Sequence, residues 1–140
     1  MSENEDIRWK QRHHNFRRSV LNLQEAVETE NPSKLERQGI IKAFELCYEL
    51  AWKTLQDYLA HLGYEEIIGP KPVVRRAFEA GLVQDGELWA RMHRARNEST
   101  HLYSEAKAEE LEAEVRSEYV GALSALAAEL ELREADETDD

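Results

Sequence analysis

A single cysteine, Cys47, stands in a chain of 140 residues, so no disulfide can close within it. That suits a reducing compartment, and the cysteine's place in an apolar-periodic stretch marks it as a core residue. No apolar run approaches the roughly 18 residues that a membrane helix needs. The opening M-S-E-N-E-D-I-R has neither the apolar centre nor the small-residue cleavage site of a secretion signal, so the expected location is the cytoplasm. Glycine is sparse as well. Neither G-x-x-x-x-G-K-[ST] nor G-x-G-x-x-G occurs, which removes the usual phosphate-cradling loops. Positive charge is outweighed, with 18 Lys and Arg against 29 Asp and Glu and a net charge of −11. A protein that coats nucleic acid by bulk charge would have the opposite balance. Alternating Val/Ile/Thr runs and Asn-Gly hairpins are absent too, so nothing in the chain reads as a strand.

What is present is helical periodicity. Trp9, His13, Phe16, Val20, Leu23 and Val27 step by four and three, one stripe on a helix that ends at E-T-E-N-P-S. Ser33 can cap a second helix, running from about Lys34 to Leu62, with Leu35, Ile41, Phe44, Tyr48, Leu55 and Tyr58 along one face and Gly63 as the terminating glycine. Pro70 and Pro72 open a short third helix that Gly81 closes, and a fourth carries Leu88, Trp89, Met92 and Ala95. A last helix begins near Ser104 or Glu105 and runs through Leu111, Val115, Tyr119, Ala122, Leu126 and Leu130. The predicted fold is therefore all-α, an antiparallel bundle of four or five helices in a single domain over 1–132, followed by an acidic disordered tail over 133–140. The aromatic set of Trp9, Phe16, Phe44, Tyr48, Trp52, Tyr58, Phe78 and Trp89 is large for one small core, and a homodimer is expected on that ground.

Chemistry concentrates at 92–103, M-H-R-A-R-N-E-S-T-H-L-Y. Asn97 and His101 are four apart and share a helix face. Arg96 and His101 are five apart, about 140° around a regular helix, and converge only if the helix kinks or ends near Ser99 and Thr100. A near-neutral histidine can take and return a proton, an arginine offers a planar fork to phosphate oxygens, and an asparagine can fix a ring tautomer. Together they suit a phosphodiester whose own 2′-hydroxyl is the nucleophile, which RNA has and DNA lacks, with no metal required. Arg91 and Arg94 would add local positive charge as RNA or nucleotide contacts. Taken on spacing alone, R-x-x-x-x-H is weak and favours a surface arginine and a satisfied histidine at a helix end over a catalytic pair.

A second chemical reading is Glu98-Ser99-Thr100-His101, the Glu-x-x-His ligand pair of di-iron bundles. Only one such pair occurs, although Glu45 and Glu49 stand four apart on the second helix. His13, His14, His61 and His93 have no metal-ligand spacing, so no metal site and no cofactor are expected. Gly-Ser followed by Asp-x-Asp is missing, so the chain is not itself built as a nucleotidyltransferase.

Three blocks resemble a known family: I-K-A-F-E-L-C-Y-E-L-A-W-K-T-L-Q-D-Y-L at 41–59, P-K-P-V-V-R-R-A-F-E-A-G-L-V-Q-D-G-E-L-W at 70–89, and R-N-E-S-T-H-L-Y at 96–103. They are similar, in order, to the nucleotidyltransferase substrate-binding proteins, a branch of the HEPN superfamily, over roughly residues 8–130. The resemblance implies a dimeric helical bundle that places the R-x(4–6)-H motifs of two chains at one cleft. It implies a metal-independent endoribonuclease of the toxin–antitoxin kind, encoded beside a minimal nucleotidyltransferase that adenylylates the motif tyrosine and silences it. Carried over by position, Arg96 and His101 are catalytic, Asn97 is the polar residue beside the arginine, and Tyr103 is the modified group. An AMP there would set an anion beside Arg96 and His101, where an RNA phosphate would otherwise sit. The alternative function within the same resemblance is a non-catalytic substrate- or nucleotide-binding subunit of a two-component nucleotidyltransferase. Glu98 departs from the family, where that position is often apolar, and a carboxylate there could repel RNA or tune His101.

Overall fold

In the computed structural model the backbone is described over residues 3–139 and the side chains over residues 7–137. Among the described residues six α-helices follow one another: α1 (Glu3–Ala26), α2 (Lys34–His61), α3 (Pro70–Glu79), α4 (Gly86–Glu98), α5 (Glu105–Glu114) and α6 (Val120–Asp139). No strand occurs among the described residues. A 3₁₀ turn over Ser99–His101 ends α4. A π turn over Val115–Tyr119 joins α5 to α6 without a break, so the two form one long rod. The all-α bundle read from the periodicity is the fold that forms.

α1 and α2 pack against each other as the main hairpin, and α6 and α5 close over them. The α1 stripe is buried as its spacing demands: Trp9, His13, Phe16, Val20 and Leu23 are all within the core. On α2 the buried face runs from Ile40 to His61. Leu35 does not belong to it and is 77% exposed. Six residues separate it from Ile41, which is about 240° of helical rotation, so it faces away from the stripe. Ser33 caps α2 as a capping box: its side chain accepts from Glu36 N–H, and the Glu36 carboxylate accepts from Ser33 N–H at 2.8 Å. The turn before it needs Asn31 at φ 49°, a left-handed conformation that asparagine tolerates better than most residues.

Arg116 fastens that turn to the last rod. It donates to the carbonyls of Val27 and Thr29, the latter at 2.7 Å, and pairs with Glu112. Glu112 in turn accepts from Arg37 of α2 at 2.7 Å. The π turn also has a packing consequence. Its extra residue, closed by Val120 N–H on Val115 O, lets both Val115 and Tyr119 stay buried and brings Leu123 into the core. Ala122, which an unbroken helical stripe would place inward, is only half-buried.

Two further expectations change. A single chain hides Trp9, Phe16, Phe44, Tyr48, Tyr58 and Trp89 in one core, so the aromatic content does not by itself call for a second chain. Phe78 is the departure, 50% exposed on α3. The segment 133–140, expected to be a disordered tail, is helical as far as Asp139. Glu134 and Glu137 are one helical turn apart on the same side of α6, and there they meet His13 and His61, which ties the acidic end down. No helix among the described residues is long and apolar enough to cross a membrane.

Candidate functional site at the end of α4

α4 is oriented by what it buries. Asp85 caps its start, accepting from Leu88 N–H at 3.0 Å, and Trp89 and Met92 sink into the core. His93, Arg96 and Asn97 are thereby turned along α2 and the surface. The helix stops where serine and threonine compete with the backbone. Thr100 donates to the Asn97 carbonyl at 3.2 Å, and Ser99 Oγ lies 2.7 Å from the Arg96 carbonyl and also against the Glu45 carboxylate. The chain then tightens into the 3₁₀ turn that holds His101, leaves through Leu102, and is capped again by Ser104 at the start of α5.

Arg96 is about three-quarters buried and already has partners. Its Nε lies 3.2 Å from Glu49 and its Nη1 3.8 Å from Glu45. Neither contact is an aligned hydrogen bond, because Arg96 Nε is buried without an acceptor in line. The guanidinium is thus held by charge, in a partly exposed pair of the sort that contributes at most about 1 kcal/mol. Glu45 and Glu49, which could suggest metal ligands by their spacing, face this cation instead. Asn97 turns away from Arg96: its Nδ2 is 3.2 Å from His93 Nε2, and His93 Nδ1 is 3.0 Å from the hydroxyl of Tyr48. Burial first, then the neighbouring Lys71 charge, lowers the His93 pKa from its ordinary value, with Glu49 opposing and Arg94 assisting. Burial raises the Tyr48 pKa and keeps that phenol protonated.

His101 and Tyr103 stand on the outside. Both are exposed, Tyr103 at 90%, and their ring centres are 6.4 Å apart. Among the described residues no hydrogen bond or ion pair joins Arg96 to His101, so within one chain the motif divides into an arginine held against α2 by Glu45 and Glu49 and a histidine beside the tyrosine. Glu98 is exposed at the last turn of α4. Tyr103, Ser99 and Glu45 line a cavity of about 410 Å³ between α2 and α5, with Lys34, Arg37 and Lys42 around it. The other two arginines part ways: Arg91 pairs with Glu118 at 2.5 Å, on the side of the last rod, while Arg94 borders a separate cavity between α3 and α4. Cys47 is buried, and burial pushes its thiol up to about 12, so it is an inert core residue.

Among the described residues the group of histidine and carboxylates close enough to share one cation is elsewhere: His13, Glu131 and Glu134. Sequence spacing misses it because α1 and α6 meet only in the folded chain. Its one signal is a histidine inside an otherwise apolar stripe.

The family described as "nucleotidyltransferase substrate binding protein like" matches residues 11–132. The structure is similar to that of a Thermus thermophilus protein, with 30% identity, coverage of 82% of this chain and 98% of that one, and a TM-score of 0.74. It also shares its fold with a Haemophilus influenzae protein described as having the fold of a substrate-binding domain of a nucleotidyltransferase, at 23% identity, 91% and 98% coverage, and a TM-score of 0.62. No curated protein matches the chain at a significant level.

Proposed function

The chain belongs to the nucleotidyltransferase substrate-binding protein family, and from that premise we propose that it is the non-catalytic substrate-binding subunit of a two-component nucleotidyltransferase, with a minimal nucleotidyltransferase as its partner. The observation that carries this reading is the state of Arg96. A phosphodiester approaching it meets the Glu45 and Glu49 carboxylates that already neutralise the guanidinium, with Glu98 exposed nearby. Repulsion of that kind opposes RNA as a substrate, in a chain whose net charge is already −11. Tyr103 and His101, by contrast, are open to an approaching protein. In this role Arg96, Asn97 and His101 serve binding only.

A second reading keeps the same residues as a nuclease. Two observations favour it: Arg96 Nε has no aligned acceptor and can be drawn off its carboxylates, and His101 stands beside the exposed Tyr103. Two chains would pair to bring their motifs to one cleft. His101 would take the proton of an RNA 2′-hydroxyl as that oxygen attacks phosphorus to form a 2′,3′-cyclic phosphate, and the 5′-oxygen would leave as a hydroxyl with the proton returned to it, with Arg96 on the phosphate. Adenylylation of Tyr103 by the partner would place AMP over His101 and stop the reaction.

The experiment combines the purified chain with its nucleotidyltransferase and ATP, and reads complex formation by gel filtration, Tyr103 occupancy by intact mass, and RNA cleavage by the unmodified chain. The expected result is a stable complex and intact RNA, with Arg96→Ala and His101→Ala weakening association or substrate binding. Cleavage by the unmodified chain that both variants abolish would replace the binding subunit with the nuclease.

A further inference from the structure

α3 and α4 leave between them a second cavity, of about 370 Å³, which lies in the range of small-molecule sites. Its apolar walls include the buried Tyr48 and Trp89, and Phe78 forms part of its rim. Its charged residues are Lys71, Arg75 and Arg94, and among the described residues no carboxylate lines it. That is a local reversal in a protein of net charge −11. Arg17, Arg37, Arg91, Arg96 and Arg116 are each in an ion pair, whereas none of these three cations is paired among the described residues. Phe78 is a large aromatic ring left half exposed beside them, while the other phenylalanines are fully buried.

A polar group at the inner wall completes the arrangement. His93 lies between Asn97 Nδ2 and the Tyr48 hydroxyl, at 3.2 and 3.0 Å. A neutral imidazole has one N–H. In the tautomer in which Asn97 donates to Nε2, that hydrogen sits on Nδ1 and is donated to Tyr48 Oη. The hydrogen of the Tyr48 hydroxyl, on a side chain 1% exposed, then has no acceptor among the described residues and is available to a ligand in the cavity.

We propose that the α3–α4 cavity binds a nucleotide. Its base would stack on the exposed ring of Phe78 and accept from Tyr48, and its phosphates would lie on Lys71, Arg75 and Arg94. Aromatic faces accept any base, and the arginine fork and lysine ammonium recognise phosphate oxygens. The hydrogen-bonded path Tyr48–His93–Asn97 connects this cavity to the motif at the end of α4. The assignment deepens the substrate-binding reading by naming the substrate class, and it rests on that reading for its biological role but not for its chemistry.

The test is calorimetric titration of the purified full chain, without partner, by ATP, adenosine and inorganic tripolyphosphate. ATP is expected to bind more tightly than either fragment. Arg75→Ala and Arg94→Ala, both at exposed positions, should each weaken ATP by at least about tenfold. Phe78→Ala should weaken ATP and adenosine but not tripolyphosphate, and Lys42→Ala, at the other cavity, should change nothing. Absence of ATP binding, or binding that survives Arg75→Ala and Arg94→Ala, overturns the assignment. So does tripolyphosphate binding as tightly as ATP, since no base would then be recognised. A dimer that Phe78→Asp dissociates, with no ATP bound by either form, overturns it too and makes the rim a contact between copies. ATP bound here by a chain that forms no complex with a nucleotidyltransferase would uphold the cavity and remove the proposed role. A firm complex whose chain binds no ATP would do the reverse.

Discussion

His13 and His101 are both imidazoles on helical segments of one bundle, and their surroundings separate them. His13 is 1% exposed, stacked on Trp9 at 5.6 Å, with its Nδ1 3.5 Å from Glu134 of α6. His61 stands in the same region, its ring centre 5.7 Å from that of Trp9, with Nε2 2.7 Å from Glu137. His101 has a tyrosine for company and solvent around it. The first region uses its polar groups to hold three helices together. The second leaves them open, beside a 3₁₀ turn held by serine and threonine hydrogen bonds to the end of α4. Residue type alone does not distinguish a structural histidine from one available to a partner; burial and the origin of its hydrogen-bond partners do.

Trp9→Ala should produce the largest effect. Trp9 is fully buried and touches Tyr58, His13 and His61, so the substitution removes an aromatic side chain and leaves a cavity between α1 and α2. A loss of about 3–5 kcal/mol in unfolding free energy is expected, measured by urea denaturation. A loss below about 1 kcal/mol would mean that this end of the bundle relaxes freely and is not the fastening it is taken to be.

The sequence makes the position of His13 legible but not its role. Its step of four from Trp9 and three to Phe16 puts it in the buried stripe on periodicity alone. Its carboxylate partner lies on the last helix, in a segment whose acidic composition predicts a solvated tail. Composition sees charge but not the one-turn spacing that lets Glu134 and Glu137 face two histidines. At the motif the reverse holds. The end of α4 near Ser99 follows from the poor helix propensity of serine and threonine, and the structure breaks the helix there. That break does not bring Arg96 to His101, because Glu45 and Glu49 on α2 draw the arginine the other way. Their four-residue spacing is visible in the sequence, but which residue they face is a matter of helix packing. The same holds for the α3–α4 cavity: Arg75 and Arg94 appear as members of two basic clusters, and only the fold sets them around Phe78.

A second, intermediate effect concerns pH. Burial lowers the pKa of His13 from its ordinary value; the Glu134 and Glu131 carboxylates pull it back up, and Arg17 pushes it down. The unfolded chain therefore takes up this proton before the folded one does as pH falls. Below the unfolded value of about 6.5, unfolding is increasingly favoured until the folded pKa is passed, so this contribution to stability is present at neutral pH and lost on acidification. His93 is lowered as well and adds the same sign. Unfolding free energy measured between pH 7.5 and 5 should fall, and His13→Gln should flatten the slope, leaving the part due to His93. An unchanged slope in His13→Gln would transfer the effect to other groups and break the contrast drawn between the two regions.

The smallest effect belongs to Tyr103→Phe. The hydroxyl sits on a ring that is 90% exposed, and among the described residues it makes no hydrogen bond, so deleting it removes nothing that the fold uses. Unfolding free energy should change by no more than about 0.5 kcal/mol, as for surface substitutions in general. That near-silence gives the variant its value. Any loss of nucleotidyl transfer to the chain, or of association with the nucleotidyltransferase, can be assigned to the hydroxyl itself and not to damage elsewhere. A destabilisation of about 2 kcal/mol or more would show that Tyr103 is packed against something, most simply a second copy of the chain, and would move it from the open region of the molecule to the fastened one.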